Sequence, residues 1–276
     1  MKKAQKMFLL KPIVFKKIWG TEQWILSTME NAASFFYKEN QKVPITKLFT
    51  KPFPLLIKII EANETLSVQV HPDDEYAIKN ESSIGKTECW YVLDAEPNSA
   101  IICGLKENVS KEDIELAIKE DRIESYLAET VVKKGDLIFI PSGTVHAIKG
   151  GLKLLEIQQP SDITYRLYDW GRDRELHVEK ALDVVKNVFS EPVKAFSGIF
   201  ECEYFSIEKS EVNDIQSIKL LNDWTFIFII EGSGSIECGS EKIKIEKDCA
   251  VLIAPNTKVH IHGFFSILKI CSKIEI

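Results

Sequence analysis

Short apolar or alternating runs of residues dominate the chain and predict β-strands. They occupy residues 53–70 and 130–159, are rich in Ile, Val and Phe, and are interrupted by Gly, Pro and Asn. Helical periodicity is clear in only two places, residues 111–128, where Ser110 is the expected cap, and residues 178–189. We therefore expect a mainly β protein, a sandwich or barrel, in which the helices are accessory to the sheets.

An internal repeat indicates two copies of one β-unit. The segment KKGDLIFIPSGTVHAIKG (133–150) is similar to EKDCAVLIAPNTKVHIHG (246–263) in its apolar run, its proline and a histidine five residues after the proline. Residues 190–197, which include Glu191 and Pro192, form a plausible linker. We expect two domains, residues 1–190 with both helical segments and residues 191–276, related by duplication.

Composition, charge and cysteine spacing argue against several classes of function. The 276 residues are 45% apolar with a formal net charge of −6, and no basic stripe is present, which argues against a nucleic-acid partner. The six cysteines show no CxxC spacing, so we expect them to be reduced. The apolar run from Met7 to Leu10 ends at Lys11, too short for a signal peptide, and no run approaches the roughly 18 residues of a membrane span. A cytoplasmic protein is expected; its oligomeric state is left open.

Four polar residues around the first β-unit form a candidate metal site. Gln69 and His71 are two residues apart on a predicted strand and project from the same face. Glu88 precedes an apolar strand, and His146 closes a G-x5-P-x-G-x2-H segment. Two neutral imidazoles and a carboxylate suit a catalytic divalent metal, and zinc is a natural occupant, with iron, nickel and manganese as chemical alternatives.

The remaining histidines have simpler interpretations. His177 stands at the start of a helical pattern, where capping or solvent exposure explains it. His260 matches His146 in the repeat and His262 could share its strand face, but the second unit contains no Q-x-H and no glutamate equivalent to Glu88. Asp73 and Asp74 are expected in a turn, and Trp19, Trp90 and Trp170 in the core. A second metal site is not expected.

Four segments together resemble the type I mannose-6-phosphate isomerases: QVHPDD (69–74), GKTECWYVL (85–93), GDLIFIPSGTVH (135–146) and LEIQQPSDITYRLYDWGR (155–172). The resemblance implies two cupin (jelly-roll) domains with a small helical insertion. The C-terminal one is expected to be degenerate. It also implies a short bacterial form and one zinc ion per chain.

The resemblance also implies the site residues. The zinc ligands would be Gln69, His71, Glu88 and His146. Arg166, Lys86 and Glu156 would be catalytic residues, with Ser67 and Lys58 as substrate-binding residues. From the sequence alone, Lys58 and Lys86 are ordinary solvated lysines, and Glu156 is a base, a supporting group or half of a buried salt bridge.

The implied reaction is the interconversion of mannose 6-phosphate and fructose 6-phosphate through an enediol, with a phosphosugar as the only expected partner. It requires a base and positive charge near the reacting carbons. Glu156, Lys86 and a metal-bound water remain alternatives for the base. Two other functions are considered: a different metal-dependent cupin enzyme, such as a dioxygenase or another sugar phosphate isomerase, and a non-catalytic sugar-binding cupin.

Overall fold

The computed structural model describes residues 5–186, 195–219 and 223–275, with the backbone alone for residues 215–219. The chain is mainly β, as predicted. The strands are β1 Met7–Leu9, β2 Ile13–Lys17, β3 Gly20–Leu26, β4 Phe35–Lys38, β5 Gln41–Pro44, β6 Leu56–Ala62, β7 Val68–Val70, β8 Glu88–Ala95, β9 Ala100–Leu105, β10 Leu127–Val131, β11 Leu137–Ile140, β12 His146–Ile148, β13 Leu152–Gln158, β14 Tyr165–Tyr168, β15 Ile199–Glu201, β16 Phe205–Lys219, β17 Thr225–Cys238, β18 Glu241–Glu246, β19 Ala250–Ile253 and β20 Lys258–Ser272.

In the described ranges, three α-helices and two 3-10 helices accompany these strands. The α-helices are α1 Asp74–Glu81, α2 Lys111–Lys119 and α3 Val178–Val184; the 3-10 helices are Ile45–Leu48 and Ile123–Tyr126. Within the described part of the chain, no helix has the length and apolar character needed to span a bilayer.

The chain forms two compact units. The central unit contains Val14–Gln23 and Leu56–Ala195, and the terminal unit contains Met1–Ile13, Trp24–Leu55 and Phe196–Ile276. The predicted division after residue 190 stays a prediction; these units differ from it by grouping two N-terminal segments with the C-terminal strands. The predicted linker, residues 190–197, lies largely outside the described residues.

The central unit contains a five-stranded sheet in the order β10-β9-β12-β7-β14. A six-stranded sheet has the order β11-β8-β13-β6-β3-β2. One apolar cluster includes Trp90 and Ile138 of the six-stranded sheet together with Ile101 and Cys103 of the five-stranded sheet, so the two sheets pack face to face. A second cluster covers the other face of the five-stranded sheet with residues of α2 and α3. The helices are therefore accessory, as the pattern predicts.

The terminal unit is built on one larger sheet. Its strand order is β1-β19-β17-β20-β16-β15, with β18 pairing β17, and β4 and β5 form a separate hairpin. The predicted repeat has the same local form in both units: β11 and β12 are joined by a turn that contains Pro141, and β19 and β20 by a turn that contains Pro255. The cupin fold class is confirmed.

The first predicted helix, residues 111–128, is too long. Ser110 caps α2 through a capping box with Asp113, as expected, but the α-helix ends at Lys119. Asp121 takes a left-handed conformation with φ of 52°, and Leu127 is paired with Leu105 of β9. Strand pairing with a distant segment thus overrides the helical pattern over the last residues.

The second predicted helix, residues 178–189, is shorter in the described structure. Helix α3 ends at Val184, and Val185 is outside the helical conformation with ψ of 126°. Residues 187–189 lie outside the described part. Helix α1 is not predicted: Asp73, expected in a turn, caps it by accepting a hydrogen bond from Tyr76 N at 3.0 Å. The helix has only eight residues and little apolar periodicity, so the cap and its acidic first turn are its main signals.

Candidate metal centre and sugar-binding site

Strand alternation places three predicted site residues on one face of the five-stranded sheet. Val68 and Val70 pack into the cluster that contains α2 and α3, so Gln69, between them, points to the opposite face. In the sheet register, Gln69 lies directly opposite His146 on one side and Arg166 on the other. Directly paired residues share a face, and the three residues therefore form a row across β12, β7 and β14.

A tight turn before β12 connects the two histidines. Thr144 N donates to Pro141 O at 3.2 Å, and Gly143 N donates to His71 O at 2.8 Å. Gly143 has a φ of 88°, and a Cβ atom there would lie 2.9 Å from Val184 O. Glycine is required at this position by both conformation and space. The motif therefore positions His146 while anchoring the backbone of His71.

Three ligand-type side chains converge in the interior of the central unit. Candidate ligand atoms of His71, Glu88 and His146 all lie within 4.8 Å of one another. Glu88 Oε2 is 3.6 Å from His71 Nε2, and Glu88 Oε1 is 3.4 Å from His146 Nε2. All three residues are at most 1% exposed. The structure thus brings together three of the four predicted ligands.

Backbone carbonyls fix the orientation of both imidazoles. His71 Nδ1 is 2.8 Å from Ile163 O, and His146 Nδ1 is 2.9 Å from Thr144 O. A carbonyl only accepts, so each Nδ1 carries the proton and each Nε2 presents a lone pair towards Glu88. Burial, with Lys86 adding to it, lowers the pKa of His71 well below its ordinary value. Burial also lowers the pKa of His146 to about 4, and both rings are neutral near pH 7.

The polar atoms between these side chains fit a divalent cation. Within the described part of the chain, Glu88 Oε1 and His146 Nε2 are buried without a hydrogen-bond partner, whereas Glu88 Oε2 faces Lys86 Nζ at 2.9 Å. Buried polar atoms without partners are rare in folded proteins, and two imidazole nitrogens with one carboxylate form a common donor set for catalytic zinc. Gln69 is half-buried on the same sheet face, which is compatible with its predicted role as an oxygen ligand. The donor set and its tautomers suit a divalent metal ion.

Lys86 lies against the candidate metal centre. Its Nζ is 2.9 Å from Glu88 Oε2 and 3.1 Å from His71 Nε2. It is 6% exposed, so the alternative of a solvated surface lysine is excluded. Burial would lower the pKa of Lys86, but the charges of Glu88 and Glu156 outweigh it and raise the pKa. The ammonium group is therefore a permanent positive charge beside the three ligands.

Lys58 and Glu156 form a second buried charge pair on the six-stranded sheet. They are directly opposite each other in β6 and β13, and Lys58 Nζ donates to Glu156 Oε1 at 2.9 Å. Glu156 Oε2 accepts from Trp90 Nε1 at 3.2 Å, and Lys58 Nζ also donates to Gln158 Oε1 at 2.7 Å. Lys58 is 7% exposed and Glu156 is 3% exposed. Glu156 is thus a hydrogen-bonded member of a buried salt bridge.

The two buried glutamates have opposite pKa shifts. Burial and the negative charge of Glu156 raise the pKa of Glu88 to about 7. Burial acts in the same direction on Glu156, but the ammonium groups of Lys58 and Lys86 outweigh it and lower its pKa to about 2. Glu156 is therefore ionised at all physiological pH values. Glu88 needs a further positive charge to be fully ionised, which a bound metal would provide.

Arg166 is held at the end of the row of site residues. Its backbone N donates to His177 Nδ1 at 3.2 Å, and its Nη1 donates to Glu175 O at 2.6 Å. Its Nε is buried and has no hydrogen-bond partner among the described residues. Burial, followed by the positive charge of Arg174, lowers the pKa of Arg166, although a guanidinium remains a cation at neutral pH. Arg166 thus has a donor that lacks a protein acceptor.

Three neighbours of the site have contacts that the sequence does not predict. Trp90 lies in the core, as expected, and in addition its indole donates to Glu156 and its ring centroid is 5.5 Å from that of His146. Alternation along β13 places Gln158 on the face of Glu156. His177 is the N-cap residue of α3, and its Nδ1 contacts the backbone of Arg166. The alternation of Glu156 and Gln158 is a signal that could have found Gln158.

Other predicted residues lie as follows. Ser67 is 4% exposed, immediately before β7. In the terminal unit, His260 is exposed and His262 Nε2 is 3.7 Å from Glu237 Oε2. Within the described ranges, the one cluster of three or more His, Cys, Asp or Glu ligands is the one in the central unit. Among the described residues, which include all six cysteines, no disulfide is formed.

The fold and the buried cluster of two histidines and a glutamate define a cupin with a candidate metal centre. Residues 20–100 match the phosphomannose isomerase type I catalytic domain, and residues 198–272 match the mannose-6-phosphate isomerase cupin domain. The mannose-6-phosphate isomerase of Streptococcus mutans is 33% identical, and the alignment covers 92% of this chain and 93% of that protein. The chain belongs to the type I mannose-6-phosphate isomerase family, and as a member it is an aldose–ketose isomerase.

Two further relatives agree with this assignment. Mannose-6-phosphate isomerase ManA of Bacillus subtilis is 34% identical, with 88% of this chain and 91% of that protein aligned. The crystal structure of the mannose 6-phosphate isomerase from Bacillus subtilis superposes with a TM-score of 0.86 at 29% identity, covering 97% of this chain and 100% of that chain. The resemblance inferred from the sequence motifs is confirmed.

Proposed function

We propose that this protein interconverts D-mannose 6-phosphate and D-fructose 6-phosphate at a zinc site formed by Gln69, His71, Glu88 and His146. The observation that carries the proposal is the buried convergence of ligand atoms from His71, Glu88 and His146, next to two buried lysines. The family assignment supports the substrate, and the donor set supports the metal. The free cysteines are compatible with the proposed cytoplasmic location.

The proposed reaction moves a proton between C2 and C1 of the sugar through an enediolate. A bound zinc ion would supply a Lewis acid that polarises the sugar oxygens. Lys86, protonated beside Glu88, would donate a hydrogen bond to the oxygen that becomes negative. Lys58, fixed by Glu156, would donate to a sugar hydroxyl, and Ser67 would complete the binding surface.

Arg166 and Glu156 have separate proposed roles. The Nε of Arg166 lacks a protein acceptor, and the guanidinium would donate to a substrate oxyanion or phosphate oxygen. The positive charges of Lys58 and Lys86 keep Glu156 ionised. Glu156 would accept the proton removed from carbon and hold it only transiently. Its low pKa makes it a weak resting base, so its main effect would be to keep both ammonium groups charged and oriented.

Turnover with and without metal tests the proposal. Purified protein should convert mannose 6-phosphate to fructose 6-phosphate, lose this activity after chelation and regain it with zinc. Conversion in deuterated water should incorporate solvent deuterium at C1 or C2, which reports the enediol route, whereas complete retention of the substrate hydrogen would indicate a hydride shift. A zinc-loaded protein that binds the sugar phosphate without turnover would indicate a sugar-binding cupin, and oxygen consumption would indicate a dioxygenase.

A further inference from the structure

Gln158, the last residue of β13, and the adjacent Gln159 contact Lys58 and the segment that carries Lys86 and Glu88. Gln158 is fully buried and Gln159 is 5% exposed. Gln158 reaches the ammonium of Lys58, whereas Gln159 reaches the backbone of Thr87. Neither residue has a role in the proposed reaction.

The amide of Gln158 has only one orientation that satisfies its neighbours. Its Nε2 donates to Gln159 O and to Ser161 O, both at 2.7 Å. A reversed amide would place its oxygen against two carbonyl oxygens, which cannot donate. The amide oxygen must therefore face Lys58 Nζ, at 2.7 Å. Gln158 holds this lysine with a neutral acceptor, while Glu156 provides the charge.

Gln159 binds the segment that carries Lys86 and Glu88. Its Oε1 accepts from Thr87 N at 2.8 Å, and its backbone N donates to Thr87 O at 3.2 Å. Its Nε2 donates to Asp74 Oδ1 at 3.0 Å, which fixes this amide as well. Thr87 stands between the two charged residues, so its backbone sets the direction of both side chains.

We propose that Gln158 and Gln159 are positioning residues for this site: Gln158 fixes the ammonium of Lys58, and Gln159 fixes Thr87 and through it Lys86 and Glu88. The inference rests on the proposed function for its effect on turnover. It assigns different consequences to the two residues. Loss of Gln158 should affect sugar binding, and loss of Gln159 should affect metal binding.

The test compares Gln158→Leu and Gln159→Leu with Ser99→Ala. Ser99 is a matched control because its buried hydroxyl donates to Gly151 O at 3.1 Å in the same unit, and its partner is not a site residue. Zinc-loaded proteins are assayed for kcat and KM with mannose 6-phosphate, and zinc affinity is measured by chelator competition.

Gln158→Leu should raise KM about tenfold, with kcat within about threefold, because Lys58 keeps Glu156 and loses the amide acceptor. Its lost bonds to Gln159 O and Ser161 O should weaken zinc binding less than Gln159→Leu does. Gln159→Leu should weaken zinc binding about 10- to 100-fold, the usual effect of removing support from a ligand. Ser99→Ala should change neither quantity. Wild-type KM in Gln158→Leu, or wild-type zinc affinity in Gln159→Leu, would overturn the inference.

Two additions keep the test decisive. If Gln158→Leu does not fold, Gln158→Asn retains an amide on a side chain one methylene shorter, and the same rise in KM is expected. If the wild-type protein shows no turnover, the proposed function fails on its own. Crystal structures then decide the inference: it predicts a displaced Lys58 ammonium in the Gln158 variant, and an unchanged ammonium position would refute it.

Discussion

Replacing Glu156 by glutamine removes one buried charge while nearly keeping the shape of the side chain. Glu156 accepts hydrogen bonds from Lys58 Nζ at 2.9 Å and Trp90 Nε1 at 3.2 Å, and it is 3% exposed. In Glu156→Gln one amide oxygen remains for Lys58, but the ammonium group loses its paired charge. An uncompensated buried cation is costly, so we expect a large loss of stability.

The pKa of Glu156 sets the magnitude and the pH range of this loss. It is lowered from an ordinary value of 4.5 to about 2, which corresponds to about 3 kcal/mol in favour of the folded state. Because the shift is downward, this stabilisation is fully present above pH 4.5 and is lost as the pH falls towards 2. The difference between wild type and Glu156→Gln should therefore be about 3 kcal/mol at pH 5 and about 2 kcal/mol at pH 3.5. At pH 5 Glu88, whose pKa is raised to about 7, is protonated in the wild type, so its repulsion with Glu156 does not offset the loss.

Urea unfolding of the metal-free proteins at both pH values measures the difference. Glu129→Gln is a suitable control, because Glu129 pairs with Lys149 at 2.7 Å on the surface, and exposed pairs contribute at most about 1 kcal/mol. Equal stability of Glu156→Gln and wild type at pH 5 would refute the reasoning. So would a stability difference that grows as the pH is lowered.

The remaining predictions concern metal, catalysis and support. Chelation should lower the melting temperature and abolish turnover, with zinc restoring both; His146→Ala should retain little zinc by elemental analysis. Arg166→Ala should keep its zinc and fold but lose about 100- to 1,000-fold in kcat/KM, which steady-state kinetics would measure. Asp169→Asn should cost about 1–3 kcal/mol in urea unfolding, since the buried Asp169 accepts hydrogen bonds from the partly exposed Arg172 and Arg174.

Short-range sequence patterns predicted much of the fold and part of the candidate site. The Gln69 and His71 spacing predicts a shared strand face, and the segment ending at His146 predicts a turn with a required glycine, because both properties depend on local backbone geometry. The register that puts Gln69 opposite His146 and Arg166 is not visible locally. The family resemblance, and not the periodicity, predicts that Gln69, His146 and Arg166 belong to one site.

Pairing between strands that are distant in the sequence determines the features that the local patterns do not predict. Lysine is typical of protein surfaces, and the burial of Lys58 depends on its pairing with Glu156, 98 positions away. Glu156 lies opposite Lys58 because β6 and β13 are neighbouring strands. The end of α2 is likewise determined by the pairing of Leu127 with Leu105. Local propensity contains no information about such distant partners. It therefore does not predict which charged residues are buried, or where a helix ends because a strand begins.

The charges of the central unit explain why the site residues depend on one another. Without metal, Lys58 and Lys86 provide two positive charges against Glu88 and Glu156, and Glu88 has the pKa raised to about 7. A divalent cation beside Glu88 would favour its ionised form, while Lys86 would be repelled by the metal and need its partner carboxylates to remain in place. The buried lysines, glutamates and metal ligands therefore form one electrostatic unit, and a neutral replacement of any charged member should change the pKa values of the others.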